Sequence, residues 1–112
     1  MEITYKNIGD VVKVELQGKL TLGQKGTGAF REAIRELLLK KERYLLLDMR
    51  GVYAIDFAGS QELVSAFAQA ANQGKTIKLL QLVSKRLNFA TVDRIYKIFE
   101  VYEDEVVAVR SF

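Results

Sequence analysis

The residues with the most chemical content fall in one stretch, Val52 to Leu63, and above all in Asp56, Phe57, Ala58, Gly59 and Ser60. Asp56 precedes an amphipathic run, so its carboxylate is placed to accept from the free N–H groups of a first helical turn. A cap needs no further function, and the same carboxylate can cap and also meet a partner. Phe57 reads either as a ring repacked inward or as an exposed aromatic anchor. A turn at the rim of a sheet favours the exposed reading, because aromatics so placed serve as interface anchors. Ser60 offers a hydroxyl to a kinase, against the plainer reading of a polar residue in a first helical turn.

Other chemistry finds less support. The loop from Gly23 to Gly28 has glycines ahead of a helix, where backbone N–H groups can cradle phosphate. It lacks the Gly-Lys-Ser/Thr of a nucleotide loop, and a flexible loop is the better reading. Asp48 with Asp56, or Glu103 with Glu105, would be the acid–base pairs, but no nucleophile or metal ligand accompanies them. The chain has no His and no Cys. That removes the commonest general base, the usual zinc ligands, thiolate chemistry and disulfides. The expectation is a protein that is not an enzyme and holds no metal or cofactor.

Composition agrees with a binding module. The 112 residues, 49% of them apolar, suit one domain, 1–112, with a single core. The net charge of +3 is spread over scattered Lys and Arg with acidic residues interleaved. No basic stripe with stacking aromatics marks nucleic acid. No basic-then-apolar N-terminus resembles a secretion signal, and no apolar run approaches the about 20 residues of a membrane span. A cytoplasmic protein without membrane insertion is expected.

Elements that could position the turn are legible from periodicity. Glu2 to Lys6 and Val11 to Gln17 alternate as strands of a hairpin around Asn7 to Asp10. In the second strand Val12, Val14 and Leu16 face inward, and Lys13, Glu15 and Gln17 outward. A helix follows with Phe30, Ile34, Leu37 and Leu38 on one face and Thr27 as its N-cap. Tyr44 to Met49 is a strand covered on both faces, broken at Arg50-Gly51. The next helix opens at Ala58 or Gly59, buries Leu63, Val64, Phe67, Ala70 and Ala71, and ends at Gly74. Thr76 to Leu82 is a strand. Ser84 caps a helix to about Arg94, with Leu87, Val92 and Phe89 inward. Lys97 to Tyr102 is the last strand, and Glu103 to Glu105 open a terminal helix. This order, β-β-α-β-α-β-α-β-α, predicts an α/β fold with a mixed sheet of about five strands and about four helices.

Taken together, these segments resemble the STAS domain, the fold of bacterial anti-sigma factor antagonists. Leu16 to Leu20 is similar to the end of that family's second strand, and Leu45 to Val52 to its central strand. Ile55-Asp56-Phe57-Ala58-Gly59 resembles its signature of an apolar residue, Asp, Ser, Ser or Ala, and Gly. Asn72-Gln73-Gly74 before Ile77 to Leu80, Ile98 to Tyr102 and the acidic last helix are also similar.

The resemblance implies partner switching. The Ser after the signature Asp is phosphorylated by a serine kinase that doubles as the anti-sigma factor, and the unphosphorylated protein binds that kinase and frees the sigma factor. A phosphate there adds nearly two charges at a helix start. In this chain Phe57 stands where that Ser would be, Ser60 and Gln61 replace an aliphatic residue and a second Gly, and Thr21 lies where many members carry Asp. The implied function is sigma-factor and transcription regulation by a constitutive binder of a kinase-like anti-sigma factor. Its contact residues would be Asp56, Phe57, Ala58, Gly59, Ser60 and Thr21, with Ser60 the one substitute phosphosite. The alternative is a structural subunit of a stressosome-type scaffold or of an ATPase-associated lipid transport complex. Either role is compatible with an oligomer.

Overall fold

The computed structural model describes residues 1–82 and 87–112. Its strands are β1 (Glu2–Ile8), β2 (Val11–Leu20), β3 (Tyr44–Ile55), β4 (Thr76–Leu80) and β5 (Val101–Tyr102). Its helices are α1 (Ala29–Leu38), α2 (Phe57–Asn72), α3 (Phe89–Ile98) and α4 (Glu105–Arg110), with a wide helical turn over Gln24–Gly28 before α1. The expected α/β class, element order and mixed five-stranded sheet are all present, in spatial order β1-β2-β3-β4-β5. β1 is antiparallel to β2, and the other neighbours are parallel.

Two unequal layers cover the sheet. On one face Val12, Val14, Leu16, Leu45, Leu47 and Met49 meet the apolar stripes of α1 and α2 and Ile95 of α3. The opposite face has a smaller cluster in which Val11, Leu46 and Leu80 pack under Ala108 of α4. β3 is therefore buried on both sides, which is why its sequence does not alternate.

Arg50-Gly51 does not break β3. Glu15 pairs with Asp48 but Gln17 with Gly51, and Gly18 with Val52 but Lys19 with Ala54. β3 thus carries extra residues as bulges, which add twist and let the strand run on to Ile55. Gly51 fits because a Cβ there would lie 2.7 Å from the Leu16 carbonyl oxygen.

Several boundaries and facings differ from the sequence reading. Thr27 is buried within the wide turn, where its hydroxyl exchanges 3.3 Å contacts with Gly23, and no side chain caps α1. α2 begins at Phe57 and buries Ala66, whereas Ala71 faces solvent. The helix ends at Asn72 with Gln73 as its C-cap, and Gly74 follows one residue later, where its φ of 71° lets the Gly74 and Lys75 N–H groups return to Ala71 and Ala70. The proposed cap Ser84 lies outside the described residues. Asn88 caps α3 instead, accepting from the Ala90 N–H at 2.8 Å, and Phe89 points out at 84% exposure. Lys97 and Ile98 complete α3, so the last strand shrinks to Val101–Tyr102. Glu103 stays outside α4, whose cap is Asp104.

Lys13 was expected on a wet face and is only 5% exposed. α4 covers it, and its ammonium reaches Glu105 at 2.6 Å, Glu15 at 3.4 Å and Asp48 at 3.6 Å. Burial lowers the Lys13 pKa, but the hydrogen bond and charge of Glu105, with help from Glu15 and Asp48, leave it raised. Burial likewise pushes the Asp48 carboxyl up, and hydrogen bonds from the Arg50 guanidinium and N–H, with the Arg50 and Lys13 charges, more than reverse that.

Candidate functional site

The signature turn lies at the rim where β2 and β3 end, the edge of a parallel sheet at which partners and ligands gather. Asp56 is extended, with φ −91° and ψ −176°, and precedes α2 as its N-cap. One carboxylate oxygen accepts from the Gly59 N–H at 2.7 Å, and the other accepts from the Leu22 N–H at 2.9 Å. The same side chain therefore starts α2 and holds the loop after β2 against it.

Gly59 is buried where α2 presses on the end of β2. A Cβ at this position would come within 2.0 Å of the Leu20 carbonyl oxygen, so only glycine permits the approach. Phe57 is 64% exposed, with the Arg94 guanidinium 4.6 Å from its ring centroid. Arg94 is fixed further by donating to the Gln61 side-chain oxygen at 3.0 Å and to the Ser60 hydroxyl at 3.5 Å. Ala58 is half-buried beside them.

Ser60 is only 1% exposed, and its hydroxyl donates to the Phe57 carbonyl oxygen at 2.8 Å. A hydroxyl so enclosed is not presented to a kinase in this conformation, which weighs against it as a substitute phosphosite. Thr21 is half-buried and takes part through its backbone, accepting from the Thr27 N–H at 2.9 Å. The Gly-rich loop has turned several N–H groups inward: those of Gly26 and Gly28 donate to the Gly23 carbonyl. Such donors are spent and do not cradle a phosphate.

Three of the four carboxylates that could form acid–base pairs have structural partners. Asp48 is bound to Arg50, Glu105 to Lys13, and Asp56 to two backbone N–H groups. Among the described residues no cluster of potential metal ligands occurs, and no helix is long and apolar enough to cross a membrane.

Two exposed residues at this rim, Leu22 and Tyr53, have no role assigned from the sequence. Leu22 (79% exposed) and the half-exposed Tyr53 share the adjoining surface, and Phe89, expected inward, stands exposed at the start of α3. Arg94 also went unnoticed, because it comes from a helix more than thirty residues downstream and no local pattern links it to Phe57. A groove of about 320 Å³ runs between the first turns of α2 and α3, with Asp56, Phe57 and Ser60 on one wall and Asn88, Thr91 and Arg94 on the other.

A family model described as "Mlab, STAS domain" matches residues 3–101. Among curated proteins, none matches the sequence. Solved structures share the fold at low identity. A candidate anti-sigma factor antagonist from Thermotoga maritima superposes with a TM-score of 0.83 at 17% identity, over 97% of this chain and 92% of that one. The unphosphorylated anti-sigma factor antagonist SpoIIAA gives 0.70 at 12% identity, over 99% and 100%. The murine anion transporter Slc26a9 gives 0.76 at 19% identity, covering 95% of this chain but only 18% of the transporter. The family match over most of the chain, with the same fold in the antagonists, places this protein in the STAS domain family.

Proposed function

We propose that this chain is a non-enzymatic protein-binding module that acts in the manner of an anti-sigma factor antagonist and docks through the β2–β3 rim. Its contact surface is the Asp56–Ser60 turn, the start of α2 and the loop from Thr21. The partner is a kinase-like anti-sigma factor, and binding frees a sigma factor for transcription. The observation that carries this reading is Phe57. It is a large aromatic side chain, 64% exposed, on the first residue of a helix whose cap and close-packed glycine hold it in place. Exposing such a ring to water is unfavourable unless a partner covers it. Phe57 stands where the family places its phosphorylatable Ser and cannot take the phosphate, so the module is held in its binding form.

A second reading is favoured by the family model itself, which is that of the Mlab STAS domain, and by the transporter, in which this fold is a minor part of a large chain. The rim would then dock permanently in an assembly, as a structural subunit of a scaffold or an ATPase-associated complex. Size in solution and co-purification separate the two. Capture of a kinase-like protein in a small complex supports the first, and a large assembly or associated ATPase supports the second. An enzyme or nucleotide-binding role would appear as thermal stabilisation by nucleotide, about 2.7 kcal/mol at a hundredfold excess over the dissociation constant. No shift is expected.

A further inference from the structure

From the chemistry of the groove between α2 and α3 we infer that the rim recognises an acidic segment of a protein partner, with a carboxylate seated on Arg94 and apolar side chains against Phe57 and Phe89. This inference rests on the docking reading above and adds the chemistry of what docks.

Arg94 carries the argument. Its guanidinium has five N–H donors in a planar fork suited to a carboxylate. Two contacts are made, to Gln61 and Ser60, both neutral. Stacking on Phe57 fixes the plane and leaves edge donors open to the groove. Nearby carboxylates are committed elsewhere. Asp56 gives both oxygens to backbone N–H groups, Glu62 is bound to Arg31, and Asp93 is bound to Lys97 at 2.9 Å. Among the described residues, no carboxylate pairs with Arg94.

The surroundings have the same sign. Lys19 and Lys25 lie on the adjoining part of the rim, which also holds Thr21, Leu22 and Tyr53. Among the described residues neither makes an ion pair, and the Lys19 ammonium instead sits 6.0 Å from the Tyr53 ring centroid. Phe57 on α2 stacks on the cation, and Phe89, the first residue of α3, offers a second ring that is 84% exposed. A basic rim studded with exposed apolar side chains complements a segment that alternates acidic and apolar residues. The concave groove favours a protruding protein segment over a flat lipid surface.

The test uses the whole chain and a random-peptide display library. Wild type is expected to enrich peptides with Asp or Glu beside a bulky apolar residue. Arg94→Lys keeps that preference, and Arg94→Glu exchanges it for Lys or Arg. For a peptide selected on wild type, Arg94→Glu weakens binding about tenfold or more, and Phe89→Ala weakens it too, while the melting temperatures show each variant folded. Raised ionic strength weakens the wild-type complex. No acidic enrichment, or an unchanged preference in Arg94→Glu, overturns the inference. If Phe57→Asp abolishes peptide binding but Arg94→Glu does not, the docking surface stands and its acidic specificity fails. If neither matters, both fail. Co-sedimentation with phosphatidylglycerol vesicles, in the absence of acidic peptide binding, would make the rim a membrane contact and also overturn the proposal.

Discussion

Asp56 does two structural jobs with one carboxylate, and this makes it the residue on which the rim depends. Replacing it with Ala removes the cap of α2 and strands the Leu22 N–H, at a cost of about 1–2 kcal/mol measured by denaturant unfolding. Asp56→Asn retains an acceptor for one of the two donors and should cost less. Phe57 is the opposite case. It is anchored at one face by Arg94 but mostly solvated, so Phe57→Ala should change stability by no more than about 0.5 kcal/mol while removing the aromatic anchor. A variant that loses binding but keeps its unfolding midpoint assigns the ring to the interface. A large loss of stability would instead assign it to the core.

At the scale of elements, the seat of α2 on β2 is fixed by Gly59. Helix propensity alone favours Ala there by about 1 kcal/mol. The approach of Leu20, 2.0 Å from any Cβ, outweighs that, and Gly59→Ala should destabilise by about 1–3 kcal/mol or more. A stabilised variant would show that α2 is free to move off the strand. The other face depends on α4. Lys13→Met removes the ammonium that holds Glu105 and Asp48 together. Its expected cost is about 1–3 kcal/mol, less than the ~3–5 of a wholly buried pair, because Glu105 can rehydrate and Asp48 keeps Arg50. The sequence was informative where periodicity is local. The stripe of α1, the hairpin, the two-sided burial of β3 and the Asp56 turn could all be read from neighbours along the chain. Long-range cover was not legible. Lys13 alternates like a surface residue, and only the packing of α4, some ninety residues on, buries it. The Arg50-Gly51 pair looks like a strand end until β2 supplies a bulged register. Phe89 resembles a core residue until the helix start moves to Asn88 and turns the ring outward.

For the whole molecule, the titratable groups set the pH range of stability. There is no His, so no side chain has its ordinary pKa between about pH 5 and 8, and stability should be level there. Asp48 is held below its ordinary 3.8 in the fold. Its contribution is therefore present above that value and is lost as the pH falls through the lower folded one. Lys13 is raised above 10.5, so its contribution is complete below that value and is lost as the pH rises through the folded one. Thermal melts across pH should show a plateau with losses at both extremes, and a step near pH 6.5 would contradict this account. The two faces of the sheet thus differ: α4 and its ion pairs close one side, and the α1–α3 side ends in the rim with exposed Phe57, which on the proposed reading a partner covers. The most direct test of that claim is affinity capture from a lysate of the source cells with wild type and Phe57→Asp side by side, read by mass spectrometry. The account predicts a kinase-like anti-sigma factor retained by wild type and lost by Phe57→Asp at unchanged melting temperature. The same proteins captured equally by both would contradict it, because the Phe57 rim would then not be the docking surface.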